Sequence, residues 1–140
     1  MLLQRENAQV LMIDVQERLL PAMAEAAAVT ANGTHLLEAA RILAVPVLVS
    51  EQYPQGLGRT VPDLARHAPA NAVHEKIEFS CYANPALRQA LSGAGRQTIL
   101  FGIEAHVCVL QTALEMEAAG RDVTEVAAVV SARTEASKAI

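Results

Sequence analysis

Five short apolar runs, separated by stretches of helical periodicity, constrain this chain more than any other feature. They are Ala8 to Asp14, Val45 to Ser50, Ala72 to Lys76, Thr98 to Ile103 and Val123 to Val130. The first, second and fourth are nearly continuous, as in strands covered on both faces. Between them, Leu36, Leu37, Ala40 and Leu43 mark one helical face within residues 32–44. Asn84-Pro85 reads as a cap and a proline at the first helical position, opening a helix over 86–92 that Gly93 and Gly95 stop. A further helix is expected over 107–119, ended by Gly120. Such an alternation folds as a parallel sheet with helices on both faces. Ligands of such sheets sit at the carboxyl ends of the strands, near the switch in strand order. The 140 residues suit one domain, 1–140.

Composition narrows the partners. Apolar residues are 52% of the chain but aromatics only 3%, with no Trp, so the core is aliphatic and a base-stacking platform is not expected. The net charge of −4 argues against nucleic acid and against a polybasic membrane anchor. No apolar run approaches the roughly 18 residues of a membrane span. Met1 to Asn7 turns polar too soon for a signal peptide. Two cysteines without an export signal place the chain in the cytoplasm, both thiols reduced.

Three reactive residue types fall at strand ends: Asp14 after the first run, Lys76 after the third, Cys108 past the fourth. Singly, Asp14 is a helix cap or a functional acid, Lys76 a solvated cation or a site residue, Cys108 a small core residue or a nucleophile. Together they describe one site. Cys108 follows a strand-to-helix turn, where a helix N-terminus and a nearby lysine lower a thiol's pKa. A carboxylate there accepts the thiol proton, and backbone N–H groups hold an oxyanion.

The segments Leu11 to Gln16, Lys76 to Ser80 and Gly102 to Ala113 resemble the isochorismatase-like cysteine hydrolases, and Glu51 to Gly58 is similar to the subgroup of isochorismatase domain-containing proteins. The resemblance covers nearly the whole chain. It implies a three-layer α/β sandwich with a parallel, Rossmann-like sheet, about five strands of which are present here. It implies a catalytic triad of Asp14, Lys76 and Cys108, a cis peptide between Ile103 and Glu104, and an oxyanion hole of the Glu104 and Cys108 N–H groups. Nicotinamidases of that superfamily carry Asp-x-His after strand two, where this chain reads Ser50-Glu51-Gln52-Tyr53. No catalytic metal and no cofactor are expected.

Family members continue through a further helix and strand, so Val126 to Val130 is expected to form a bare apolar edge. Self-association would cover it, and a homo-oligomer is expected. Gln16 orients Asp14 or the substrate, or is a surface residue; Tyr53 and Phe79 line the pocket or pack the scaffold. Gly56 and Gly58 suggest a lid, Glu51 a contact to Lys76 or to substrate, Cys81 a wall residue. His106, two before Cys108, ranks below Asp14 as base. The expected function is hydrolysis of a small amide or related C–N or acyl compound through a thioester. The alternative is an inactive oligomeric scaffold or binding protein on the same fold.

Overall fold

The computed structural model describes residues 2–93 and 97–138. Its elements run β1 (Ala8–Ile13), α1 (Ala26–Ile42), β2 (Val47–Gln52), the short helices α2 (Pro54–Leu57) and α3 (Pro62–Ala65), and β3 (Val73–Lys76). They continue with α4 (Pro85–Gly93), β4 (Gln97–Ile103), α5 (Leu110–Ala118), β5 (Asp122–Ser131) and α6 (Glu135–Lys138). The strands form one sheet in the order β3-β2-β1-β4-β5, every pair parallel.

β1 is central and buried along its whole length. Its Val10 and Met12 point one way, into a core with Val29, Leu37 and Ala40 of α1 and Leu64 of α3. Its Leu11 and Ile13 point the other way, against Leu87 and Leu91 of α4 and Met116 of α5. Alternation on a strand thus builds two cores, and the result is a three-layer α/β sandwich. Burying each large aliphatic side chain stabilises by about 1.5–3 kcal/mol, which leaves little room for polar residues in β1. The exception, Gln9, is tied by its amide nitrogen to Leu91 O and Thr98 Oγ1, both at 2.9 Å.

All five apolar runs are strands, with shifted bounds. α1 begins at Ala26, six residues before the expected start. Gly33 packs inside the helix, where a Cβ would lie 3.2 Å from Leu64 and 3.3 Å from the Phe101 ring. Asn84 caps α4 as expected, its Oδ1 accepting from Leu87 N at 3.1 Å. Gly93 ends that helix; Gly95 lies outside the described residues. α5 starts later than expected, because Ala105–Val109 is a π-helical turn closed by a 3.2 Å bond from Val109 N to Glu104 O.

The fifth strand is an edge strand, as expected, but an irregular and partly covered one. Leu100 pairs with Glu125 but Gly102 with Val130, so β5 carries extra residues in a bulge opposite Phe101. Within it only Ala127 and Ala128 are exposed, while Val129 and Val130 are buried. α1 packs on β5, and Asn32 Nδ2 donates to Ala128 O at 2.9 Å. Val126–Val130 thus lies at the edge of the sheet as expected, β5 pairing with β4 alone, but the edge is not bare, since Val129 and Val130 are buried. No helix among the described residues is long and apolar enough to cross a membrane.

Candidate active site

Asp14 is the first residue past β1 and turns the chain with φ of +54°, a conformation Asp tolerates better than most residues. Its N–H donates to Ser50 O at 3.1 Å, and its Oδ1 accepts from Ser50 Oγ at 2.6 Å. Its Oδ2 accepts from Lys76 Nζ at 2.8 Å, both side chains being fully buried. Lys76, the last residue of β3, also donates to Glu78 O and Phe79 O, each at 2.9 Å. An ammonium has three protons, and these three oxygens take them. Cys108 Sγ, 3.8 Å from Nζ, is then mainly a charge neighbour. The Asp14 carboxylate lies near enough to the thiol to act on its proton. Gln52 at the end of β2 places its Oε1 3.7 Å from the sulfur. The structure thus gathers Asp14, Lys76 and Cys108 into one buried cluster at the carboxyl ends of β1, β3 and β4.

The electrostatics differ from the helix-terminus argument. Cys108 sits inside the π-helical turn, and burial pushes its thiol well up. The Asp14 charge and the hydrogen bond to Asp14 push the same way, while Lys76 opposes them. A lowered thiol is therefore not what this site holds; at rest the proton stays on sulfur. Burial draws the Lys76 ammonium down, but attraction to Asp14 and to the two cysteines overcomes it, and the net direction is up. The buried ion pair persists because both members are bonded.

A cavity of about 290 Å³ opens onto Cys108. Leu19, Leu57, Phe79 and Val107 give it apolar walls; Gln52, Glu104 and Arg133 are its polar groups. The peptide bond between Ile103 and Glu104 is cis. The Glu104 carboxylate accepts from Arg133 N at 3.3 Å and lies 3.6 Å from Arg133 Nε.

Of the residues expected in the pocket, Phe79 lines this cavity, and Gln16 and Tyr53 do not. Gln16 is buried, and its amide is consumed by backbone. Nε2 donates to Gln52 O at 2.9 Å and Gly58 O at 2.8 Å, and Oε1 accepts from Gln52 N at 2.8 Å. These bonds brace the loop after β2. The bond to Gly58 O, with one from Arg18 Nη1 to Gly56 O at 3.0 Å, ties down the Gly56–Gly58 segment that was expected to be a lid. Tyr53 is exposed and faces a neighbouring depression with Ile77 and Glu78.

Glu51 does not reach Lys76. Burial would raise its carboxyl, but Thr60 N at 2.8 Å, Thr60 Oγ1 at 2.7 Å and Arg59 hold it below the usual range. His106 lies outside the cavity wall, and its Nδ1 is buried without a partner among the described residues. Among the described residues no three His, Cys, Asp or Glu side chains are placed to hold a metal ion.

Sequence reading missed Ser50 and Gln52. Both were visible in Ser50-Glu51-Gln52, a segment read for a missing histidine and for Glu51. Leu19, Leu57 and Val107 carry no signal that separates a pocket wall from a core position.

Cys81 is fully buried beside the site, and burial pushes its thiol from 9.0 up to about 11. The unfolded chain releases that proton first. The stability this contributes is whole below pH 9 and is lost as the pH rises through 11. The loss attributable to Cys81 is about 3 kcal/mol. Urea unfolding from pH 8 to 11 should show a shallower decline in Cys81→Ala than in the parent.

A parallel three-layer sheet with Asp, Lys and Cys buried at its strand ends defines a class of α/β proteins. An isochorismatase domain model matches residues 8–140, and the chain belongs to that family. Isochorismatase domain-containing protein 1 of Salmo salar is 44% identical over 124 residues, 86% of this chain. The chain spans only 43% of that relative's length. Isochorismatase domain-containing protein 2 of Danio rerio is 36% identical over 97% of this chain and 68% of its own length. A solved structure described as the MAR1 ribonuclease of Caenorhabditis elegans superposes with a TM-score of 0.91 at 35% identity, covering 98% of this chain and 71% of that one. The YcaC product of Escherichia coli, described as an octameric hydrolase of unknown specificity, shares the fold with a TM-score of 0.92 at 24% identity, covering 98% of this chain and 70% of that one.

Proposed function

We propose that this chain hydrolyses a small amide, or a related C–N or acyl compound, through Cys108, Lys76 and Asp14 with a thioester intermediate. The observation that carries the reading is the buried contact set: Lys76 Nζ 2.8 Å from Asp14 and 3.8 Å from the Cys108 sulfur, which faces the cavity. Asp14 takes the thiol proton as sulfur attacks the carbonyl carbon, so no standing thiolate is needed. The oxyanion is held by the Glu104 and Cys108 N–H groups. As the C–N bond breaks, Asp14 returns the proton to the leaving nitrogen. Water then attacks the thioester and gives its proton to Asp14, which passes it to the departing sulfur. Lys76 stabilises both anions. No step calls for a metal or cofactor.

Cys108→Ala should lower turnover of any accepted amide by at least a thousandfold while leaving thermal unfolding within a few degrees. Retained turnover would sink the covalent mechanism. A panel of small amides, with mass-spectrometric capture of the acylated Cys108 peptide, supplies the substrate. An RNA oligonucleotide belongs in the same panel, since one relative is described as a ribonuclease. The small cavity and net charge of −4 speak against RNA here. If no compound turns over and no acyl-Cys108 forms, the scaffold reading takes its place. Self-association is proposed on the exposed Tyr53, Ile77 and Phe79 around the site, and sedimentation velocity tests it.

A further inference from the structure

We propose that Ser50 is a positioning residue for Asp14, whose two-point grip keeps the carboxylate aimed at Lys76 and Cys108. The inference rests on the reading of Asp14 as the base. Ser50 is fully buried and reaches Asp14 twice: its carbonyl accepts from Asp14 N at 3.1 Å, and its hydroxyl donates to Oδ1 at 2.6 Å. The first contact fixes the left-handed backbone at Asp14; the second fixes the plane of its carboxylate. With Oδ1 held by the hydroxyl, Oδ2 is turned to the ammonium.

The hydroxyl is itself set from behind. Cys81, fully buried, contacts both Ser50 and Thr112. Its N–H donates to Thr112 Oγ1 at 2.9 Å, and that hydroxyl donates to Cys108 O at 2.7 Å. The one proton of the Ser50 hydroxyl is spent on Asp14. The titratable groups facing the carboxylate are Lys76 from β3, Cys108 from the π-helical turn and Cys81 from the turn after β3.

A hydrogen bond to a carboxylate favours its charged form. Without that bond, Asp14 becomes a stronger base, and the proton it shares with Cys108 moves toward it. The pair titrates as a unit. While one proton is shared, a small fixed fraction is thiolate, so Cys108 alkylates at a flat rate across neutral pH. The rate climbs again only when the last proton leaves.

The experiment is iodoacetamide labelling of the whole chain from pH 4 to 11, with the Cys108 peptide quantified by mass spectrometry. Ser50→Ala should raise the flat rate about tenfold. Ser50→Thr, which keeps the hydroxyl, should restore the parent profile. Should Ser50→Ala not fold, Ser50→Cys, with its weaker donor, carries the same expectation at smaller amplitude. An unchanged profile overturns the proposal. So does a lower flat rate that Thr does not restore, since loosened packing alone would give it. A parent profile with a single rise, unaltered in form by Asp14→Asn, overturns the reading of Asp14 as base as well, and so separates that failure from the failure of Ser50 alone.

Discussion

Asp14→Asn is expected to make Cys108 more reactive and to abolish turnover. The charge of Asp14 and its bond to the thiol both hold the proton on sulfur, and Lys76 pulls the other way. The amide removes the first two and leaves the third. Burial still opposes ionisation, but the thiolate now has an ammonium 3.8 Å away as its counter-ion. Alkylation at pH 7 should rise at least tenfold, one pKa unit being a tenfold change in thiolate below the midpoint. Hydrolysis should fall by about 10²–10⁴, the usual contribution of a general base. Losing one partner of a buried pair costs about 3–5 kcal/mol, so the variant should also unfold earlier. Slower labelling in Asp14→Asn would mean that proton sharing with the carboxylate supplies more thiolate than the Asp14 charge suppresses, and the expected gain in reactivity would fail.

Gly102→Ala is expected to prevent folding. Gly102 pairs with Ile13 across β1 and β4 with φ of +135°, and a Cβ there would sit 2.1 Å from Ile13 O. The obstruction is backbone in the central strand, so nothing flexible can give way. The backbone conformation is also one that side chains rarely adopt. The cost should exceed about 4–5 kcal/mol, the range of exceptional substitutions. Soluble yield and urea unfolding check it. A variant that unfolds within about 1 kcal/mol of the parent would contradict the close approach of the two strands.

The strands were legible because burial on both faces leaves an apolar run that only a covered sheet explains. The helices were less so. The first turns of α1, from Ala26, are Ala-rich and show no face, and Gly33 is where the helix approaches Leu64 and Phe101 too closely for a side chain. No pattern of residue types distinguishes the π-helical turn at Ala105–Val109 from the start of an ordinary helix. At the site, Asp14, Lys76 and Cys108 were visible because each is costly to bury without a reason. Gln16 was misjudged because a glutamine looks the same whether it meets a ligand or three backbone groups. The direction of the Cys108 shift was misjudged too. It depends on how burial and a facing carboxylate compare with one ammonium, a balance set only by distances.

The central position of β1 has a kinetic consequence. Asp14 meets Ser50 across 36 residues of chain and Lys76 across 62. Each contact must therefore close a long loop before it returns any binding energy, and such topologies fold slowly. No local segment can assemble the cluster early. The Cys108 sulfur should stay open to a bulky alkylating reagent until the whole sheet has formed, then become shielded in one step. Timed quenching of refolding protein with such a reagent would make this thiol a clock for completion of the sheet.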